Sequence, residues 1–144
     1  MRKQILIMVS LLLVTSSIFG QSARRYVKAG EDFAEVNKFE DAIEQFTNAI
    51  EIDPEYEDAY IARANVYERL KKFEEAAQDY ERALVFEDKD EELYYHAGQA
   101  YYHAGKLGLA LGKLNKALEL KSNYLEAYQA RTLVYIALER YDEA

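Results

Sequence analysis

The chain has 144 residues, 18 Lys and Arg against 26 Asp and Glu, and a net charge of −8. That length allows one domain or a short array of small units, and 50% hydrophobic with 31% charged residues is the composition of a folded, soluble protein. The absence of Cys excludes disulfides, thiolate catalysis, zinc–cysteine sites and lipid attachment through cysteine; the acidic balance excludes nucleic acid as the expected partner, because a phosphate backbone repels it.

Residues 1–20 read as an address. Arg2 and Lys3 precede Ile5–Val14, which is apolar except for Ser10, and Thr15, Ser16 and Ser17 lead to Gly20 and Gln21. A basic start, a short apolar run and a small residue at the cleavage point describe a secretory signal peptide. The run falls short of the roughly 20 apolar residues of a spanning helix, so cleavage after Gly20 is expected rather than retention as an anchor. The mature chain then begins at Gln21, does not insert into the membrane, and works in the periplasm or cell envelope, or is secreted. It loses two cations and no acid, which deepens its negative charge. No Asn-x-Ser/Thr sequon is present.

The rest of the chain repeats every 34 residues when rows start at Ala23, Glu57, Glu91 and Leu125. Column 4 reads Tyr26, Tyr60, Tyr94, Tyr128; column 8, Gly30, Ala64, Gly98, Thr132; column 11, Phe33, Tyr67, Tyr101, Tyr135. Column 17 reads Phe39, Phe73, Leu107, Tyr141; column 20 is Ala42, Ala76, Ala110 and Ala144. Column 24 reads Phe46, Tyr80, Leu114, and column 27, Ala49, Ala83, Ala117. Columns 4, 8 and 11 are spaced i, i+4, i+7, one face of a helix, and columns 20, 24 and 27 repeat that spacing. Each row therefore predicts two amphipathic helices with column 17 at the turn. Small residues at columns 8, 20 and 27 let the backbones approach, and large rings at 4, 11 and 24 fill the space beside them. Glu40, Asp41, Glu74, Glu75, Asp142 and Glu143 open the second helices, where the helix dipole favours acid. The one proline, Pro54, falls between rows. In row 3, Gly108 and Leu109 replace the acidic pair and Gly112 lies inside the helix, which marks that helix as the least stable of the ordered second helices.

In these columns the sequence resembles the tetratricopeptide repeat family, over Ala23–Ala144. The resemblance implies an all-α, right-handed superhelical solenoid of antiparallel helix pairs. Its repeats are 23–56, 57–90 and 91–124, with a truncated fourth at 125–144. Tyr replaces the signature Trp of column 4, and column 7, often Leu in the family, holds Ala29, Arg63, Ala97 and Arg131. Asp88 and Ser122 stand where rows 2 and 3 would carry proline.

Catalytic signatures are absent from the sequence. No G-x-S-x-G elbow, phosphate loop or G-x-G-x-x-G is present, and the glycines at 105, 108 and 112 match no phosphate-binding spacing. An enzymatic role is therefore not expected, nor is a cofactor. His96 and His103 are seven residues apart, about 10.5 Å along a helix, too far to share a metal; they read as partly exposed polar residues. The run from Glu87 to Glu92 lacks the Gly and Glu that a calcium loop requires and reads as an inter-repeat turn followed by an acidic helix start.

Eleven of the thirteen tyrosines fall in packing columns; Tyr95 and Tyr102 do not. In the family, columns 2, 5, 9 and 12 of the first helices face a concave groove. The resemblance then implies a partner-binding groove lined by Val27, Glu31, Ala34, Ile61, Asn65, Glu68, Tyr95, Gln99, Tyr102, Gln129, Leu133 and Ile136. Arg24, Asp58, Glu92 and Glu126 would stand at its edge. The competing reading of the two tyrosines is that they only cover neighbouring helices. Some domains of this family grip a peptide's C-terminal carboxylate with Lys, Asn and Arg. The corresponding places here hold Val27, Glu31, Ala62, Glu92 and His96, so that clamp is not expected. An apolar-aromatic floor with an acidic edge suits a segment with basic flanks. Rows 1 and 2 carry nearly all the negative charge, and row 3 is close to neutral.

Row 4 stops at its twentieth residue, Ala144. A stacked array needs a polar cap. The chain is therefore expected to be a piece of a longer protein, with Leu133 and Ile136 exposed and the open end available for homo-association. The leading functional expectation is an exported, non-enzymatic interaction scaffold that holds a protein or peptide segment. The alternatives are the extracytoplasmic input region of a longer sensor or enzyme, or a structural spacer in a cell-envelope assembly. Intact mass measurement of the exported product should give a chain starting at Gln21; a membrane-bound species retaining Met1 would contradict cleavage.

Overall fold

The computed structural model describes residues 21–142. The expected signal segment, 1–20, and the terminal pair Glu143 and Ala144 lie outside the described residues. Among the described residues there are seven helices and no strand. They are α1 (residues 21–35), α2 (Phe39–Ile52), α3 (Glu57–Arg69), α4 (Phe73–Ala83), α5 (Glu91–His103), α6 (Leu107–Leu120) and α7 (Leu125–Asp142). None of them is long and apolar enough to cross a membrane. The contacts divide the chain into two units, the first ending at Ala62 and the second starting at Arg63.

In the first unit α1 and α2 are held by a small residue against a ring. Ala23, Gly30, Ala42 and Ala49 are buried, and Phe46 is 1% exposed. A Cβ at Gly30 would lie 2.5 Å from the Phe46 ring, so column 8 must be glycine there for the helices to approach. Tyr60 closes this unit's inter-repeat turn: its hydroxyl donates to the Pro54 carbonyl at 3.1 Å.

The second unit builds the same contact from different side chains. Gly98 of α5 faces Leu114 of α6, whose Cγ would be 2.8 Å from an added Cβ. Lys121, just past the end of α6, pairs with Glu91 at the start of α5 at 3.2 Å, so the two helices run antiparallel. α5 packs between α4 and α6, and α7 packs on α6 and more lightly on α5. Successive second helices are also tied directly, Glu74 to Lys106 and Glu81 to Lys113, the latter at 2.7 Å. Such exposed pairs are worth less than about 1 kcal/mol each.

The turns between paired helices obey one rule. Column 15 is left-handed in all three complete rows, with φ of 60° at Asn37, 58° at Lys71 and 74° at Gly105. The next residue, Lys38, Lys72 or Lys106, donates its backbone N–H to the column 11 carbonyl of Phe33, Tyr67 or Tyr101. This is the Schellman closure, which satisfies a carbonyl the helix end would otherwise leave open. The second helices then start without a side-chain cap, whereas α5 starts on Asp90, whose carboxylate accepts from Glu92 N and Leu93 N at 2.8 and 2.9 Å. The acidic run before α5 is thus an inter-repeat turn and helix cap.

Row 4 departs from the expected pattern. α7 runs unbroken to Asp142, through the positions where rows 1–3 turn and start a second helix. In rows 1–3 the left-handed turn is stabilised by a second helix folding back on the first. In row 4, Glu139 at column 15 is a good helix former, and the helix continues through it. α7 leaves Leu125, Tyr128, Leu133, Tyr135 and Ile136 exposed, as anticipated for the last two of the row 4 groove positions.

Column 7 of row 2 carries a buried ion pair in place of the family's leucine. Arg63 Nε and Nη2 reach Asp79 Oδ2 and Oδ1 at 2.7 and 2.8 Å, and Asp79 is 5% exposed. Both oxygens of the carboxylate are thereby engaged, which a buried charge requires. Removing one partner leaves a buried charge uncompensated. Asp79→Ala should therefore destabilise by about 3–5 kcal/mol in urea unfolding, and the double replacement Arg63→Leu with Asp79→Leu should recover most of that loss. A second expectation concerns α6. Gly108 and Gly112 are exposed, and nothing lies within 4 Å of a Cβ added at either. Gly112→Ala should stabilise by about 1 kcal/mol, and amide exchange in wild-type α6 should be faster than in α4.

Candidate functional site

The first helices of rows 3 and 4 enclose a cleft of about 170 Å3 in the second unit. α5 contributes Tyr95, Gln99, Tyr102 and His103, and α7 contributes Glu126, Gln129, Ala130 and Leu133. The spacing explains the geometry. Tyr95, Gln99 and Tyr102 stand at i, i+4, i+7 on α5, while Glu126, Gln129, Ala130 and Leu133 form the matching stripe on α7.

The rings are held from behind. Tyr95 lies 5.2 Å from Tyr124 and 5.3 Å from His96, centroid to centroid. His96 stacks on Tyr80 at 5.8 Å, and His103 stacks on Phe73 at 4.8 Å. The two histidines therefore act as packed rings linking α4 and α5. Among the described residues no group of three or more His, Asp or Glu is placed to hold a metal ion.

Tyr80 is fully buried, and its hydroxyl donates to Asn65 Oδ1 at 2.7 Å, with Glu68 Oε2 as a second acceptor at 3.2 Å. Burial, reinforced by Glu68, pushes the Tyr80 hydroxyl far above its ordinary pKa. The Tyr95 hydroxyl is raised by burial and then by the charges of Glu126 and Glu68. Tyr124 is pushed up to about 12, first by burial and then by Glu92, with Tyr95, Glu126 and Glu91 adding. Four carboxylates, Glu68, Glu91, Glu92 and Glu126, thus act on Tyr95 and Tyr124 at one end of the cleft.

Five of the expected groove residues meet in this cleft: Tyr95, Gln99, Tyr102, Gln129 and Leu133. Glu126, expected at the groove's edge, is part of the wall. Asn65 and Glu68 lie on α3 and are engaged by Tyr80 rather than lining the cleft. Ile136 is 45% exposed and lies outside the wall. Glu31, Ala34 and Ile61 belong to the first unit, where Glu31 is exposed and the other two are half-buried. Val27 requires a correction. It was expected on an open face but is only 6% exposed, because it shares the buried stripe of Ala23 and Gly30.

Sequence reasoning missed the Arg63–Asp79 pair, although an Asp at column 23 on the apolar side of α4 was the available signal. In row 1 those two columns hold Ala29 and Gln45. They line a hollow of about 410 Å3 with Ser22, Arg25, Tyr26 and Ile52. Ala130 and His103 were missed as wall residues because their places depend on how α5 and α7 pack.

Residues 27–92 match the model of the tetratricopeptide repeat. A search of curated proteins returns no match. Among solved structures, the first repeat domain of Spaghetti (RPAP3) bound to the HSP90 peptide SRMEEVD is 28% identical, with a TM-score of 0.76 over 83% of this chain and 95% of that one. The first such domain of human RPAP3 is 26% identical, with a TM-score of 0.76 over 87% and 98%. MamA, at 22% identity, has a TM-score of 0.79 over 85% of this chain and 67% of that one, a likeness of fold alone. The helix pairs, their small-against-large contacts and these matches lead to one conclusion: the chain carries tetratricopeptide repeat sequence over residues 27–92 and has the all-α solenoid fold of that family.

Proposed function

We propose that this protein is an exported, non-enzymatic interaction scaffold, and that the α5–α7 cleft holds a segment of its partner. The observation that carries this reading is the convergence of Tyr95, Tyr102, Gln99, Gln129 and Leu133 on one cleft, with rings and amides side by side. Aromatic side chains that are half-buried and backed by other rings lose little entropy when they bind, which suits them to anchor a partner.

The family supports a protein or peptide partner, and the Spaghetti domain at 28% identity was solved with a peptide bound. That peptide, SRMEEVD, is acidic. The clamp positions of this chain hold Val27, Glu31, Ala62, Glu92 and His96, of which Val27 is buried and Glu31 and Glu92 are exposed acids. They offer no cation to a terminal carboxylate, so the partner differs in chemistry. Export to the periplasm or cell envelope is supported by Arg2, Lys3 and the apolar run Ile5–Val14. The non-enzymatic reading is supported by the absence of a nucleophile elbow or phosphate loop from the sequence.

Pull-down from a cell-envelope fraction, compared between wild type and Tyr95→Ala/Tyr102→Ala, tests the cleft. The double variant should lose captured partner by at least tenfold, since each such anchor is worth about 2 kcal/mol, while its helical circular dichroism stays unchanged. Leu133→Glu, at an exposed position on the opposite wall, should give the same loss without touching the packed rings. Undiminished capture by both variants would overturn the assignment.

A further inference from the structure

We propose that the α5–α7 cleft takes an arginine side chain of the partner at its Tyr95–Glu126 end, with an apolar side chain of the same segment at its Tyr102–Leu133 end. This rests on the reading of the cleft as the partner site and adds the chemistry and polarity of the occupant.

The two ends of the cleft differ in kind. Glu126 acts on Tyr95, and Tyr95 touches Tyr124 just before α7 begins, so the start of α7 lies at the Tyr95 end of α5. Leu133 is seven residues beyond Glu126, as Tyr102 is beyond Tyr95, or about 10.5 Å along each helix. One end thus pairs a phenol ring with a carboxylate, the other pairs a phenol ring with an aliphatic side chain, and the amides of Gln99 and Gln129 stand between.

The charge at the first end is one-signed. No lysine or arginine lines the cleft, and its one histidine, His103, is stacked on Phe73. Lys121 sits 4.6 Å over the Tyr124 ring but is paired with Glu91 at 3.2 Å. Glu126 acts on both tyrosines there, Glu68 on Tyr95, and Glu92 and Glu91 on Tyr124, in line with the direction in which the hydroxyls shift.

An arginine answers each of these features. Its planar guanidinium stacks on an aromatic face and donates up to five hydrogen bonds, here to carboxylate and amide oxygens. Its apolar stem suits the small wall residue Ala130. The cleft, of about 170 Å3, has room for side chains of a segment and not for a helix. An acidic side chain would meet carboxylates with no cation to offset them. An apolar one would cover Glu126, Gln99 and Gln129 without replacing their water. The 10.5 Å between the two ends is spanned by about three residues of a polyproline-II segment, which rises about 3.1 Å per residue and returns every third side chain to the same side, so the register is arginine, two residues, then an apolar residue.

The test is selection of a displayed random heptapeptide library on the full chain, in parallel with Tyr95→Ala/Tyr102→Ala, followed by affinity measurement on the selected sequences. Arginine with Leu, Ile or Val three residues away should be enriched on wild type and not on the double variant. Replacing that arginine by citrulline, its neutral isostere, or Glu126 by Gln should weaken binding about tenfold, and the two changes together should cost little more than either alone. Glu126→Lys should weaken it further. Enrichment of apolar or acidic sequences without arginine, lost on the double variant, would overturn the arginine assignment and leave the cleft as partner site. Enrichment indifferent to Tyr95 and Tyr102, or none at all, would overturn both.

Discussion

Everything in this molecule depends on the contact between a small residue on one helix and a large one on its partner. Gly30 against Phe46 and Gly98 against Leu114 bring backbones so close that a methyl group would not fit. Around them the alanines at columns 20 and 27 are fully buried in every complete row. No helix here can bury its apolar stripe alone, and with no disulfide to constrain the unfolded chain, close packing between helices carries the stability.

Close packing obliges the polar groups inside it to find partners. Arg63 and Asp79 satisfy each other across α3 and α4, and Tyr80 sends its hydroxyl to Asn65 and Glu68. Among the described residues no buried side-chain nitrogen or oxygen lacks a hydrogen bond. Column 4, where the family's tryptophan is expected, holds tyrosines whose hydroxyls serve the turns at the surface. Tyr60 and Tyr128 each donate to a carbonyl of the preceding inter-repeat turn, Pro54 and Ser122, at 3.1 and 3.2 Å. An indole N–H would sit elsewhere on the ring system. The tyrosine excess is thus partly a set of turn locks.

The candidate site follows from the scaffold without disturbing it. The apolar columns of α5 are spent on α4 and α6, which leaves the tyrosines one position further round the helix to face α7. Tyr95 and Tyr102 stay ordered because other rings back them, and they remain half-exposed because α7 touches α5 only lightly. A cleft between two rigid helices holds its side chains more tightly in place than a loop does, which favours recognition of a short segment.

The helices and the turns between paired ones were legible in the sequence, because the i, i+4, i+7 stripes and their repetition are local properties of the chain. So was the place of Tyr95 and Tyr102, since helical geometry alone rotates them off the packed stripe. Other features depended on side chains brought together from separate helices. The burial of Val27, the replacement of a column 7 leucine by Arg63 with its partner Asp79, and the entry of Glu126 and Ala130 into the cleft wall each turn on a distance between helices. The left-handed column 15 has no shared residue type, being Asn37, Lys71 and Gly105, so the chain-folding hydrogen bonds rather than composition reveal it. The continuation of α7 past its expected turn is of the same kind. The sequence by itself determined which faces are apolar and where the pairs turn; the tertiary structure alone decided which polar groups meet and what remains open, because those depend on how far apart neighbouring helices come to rest.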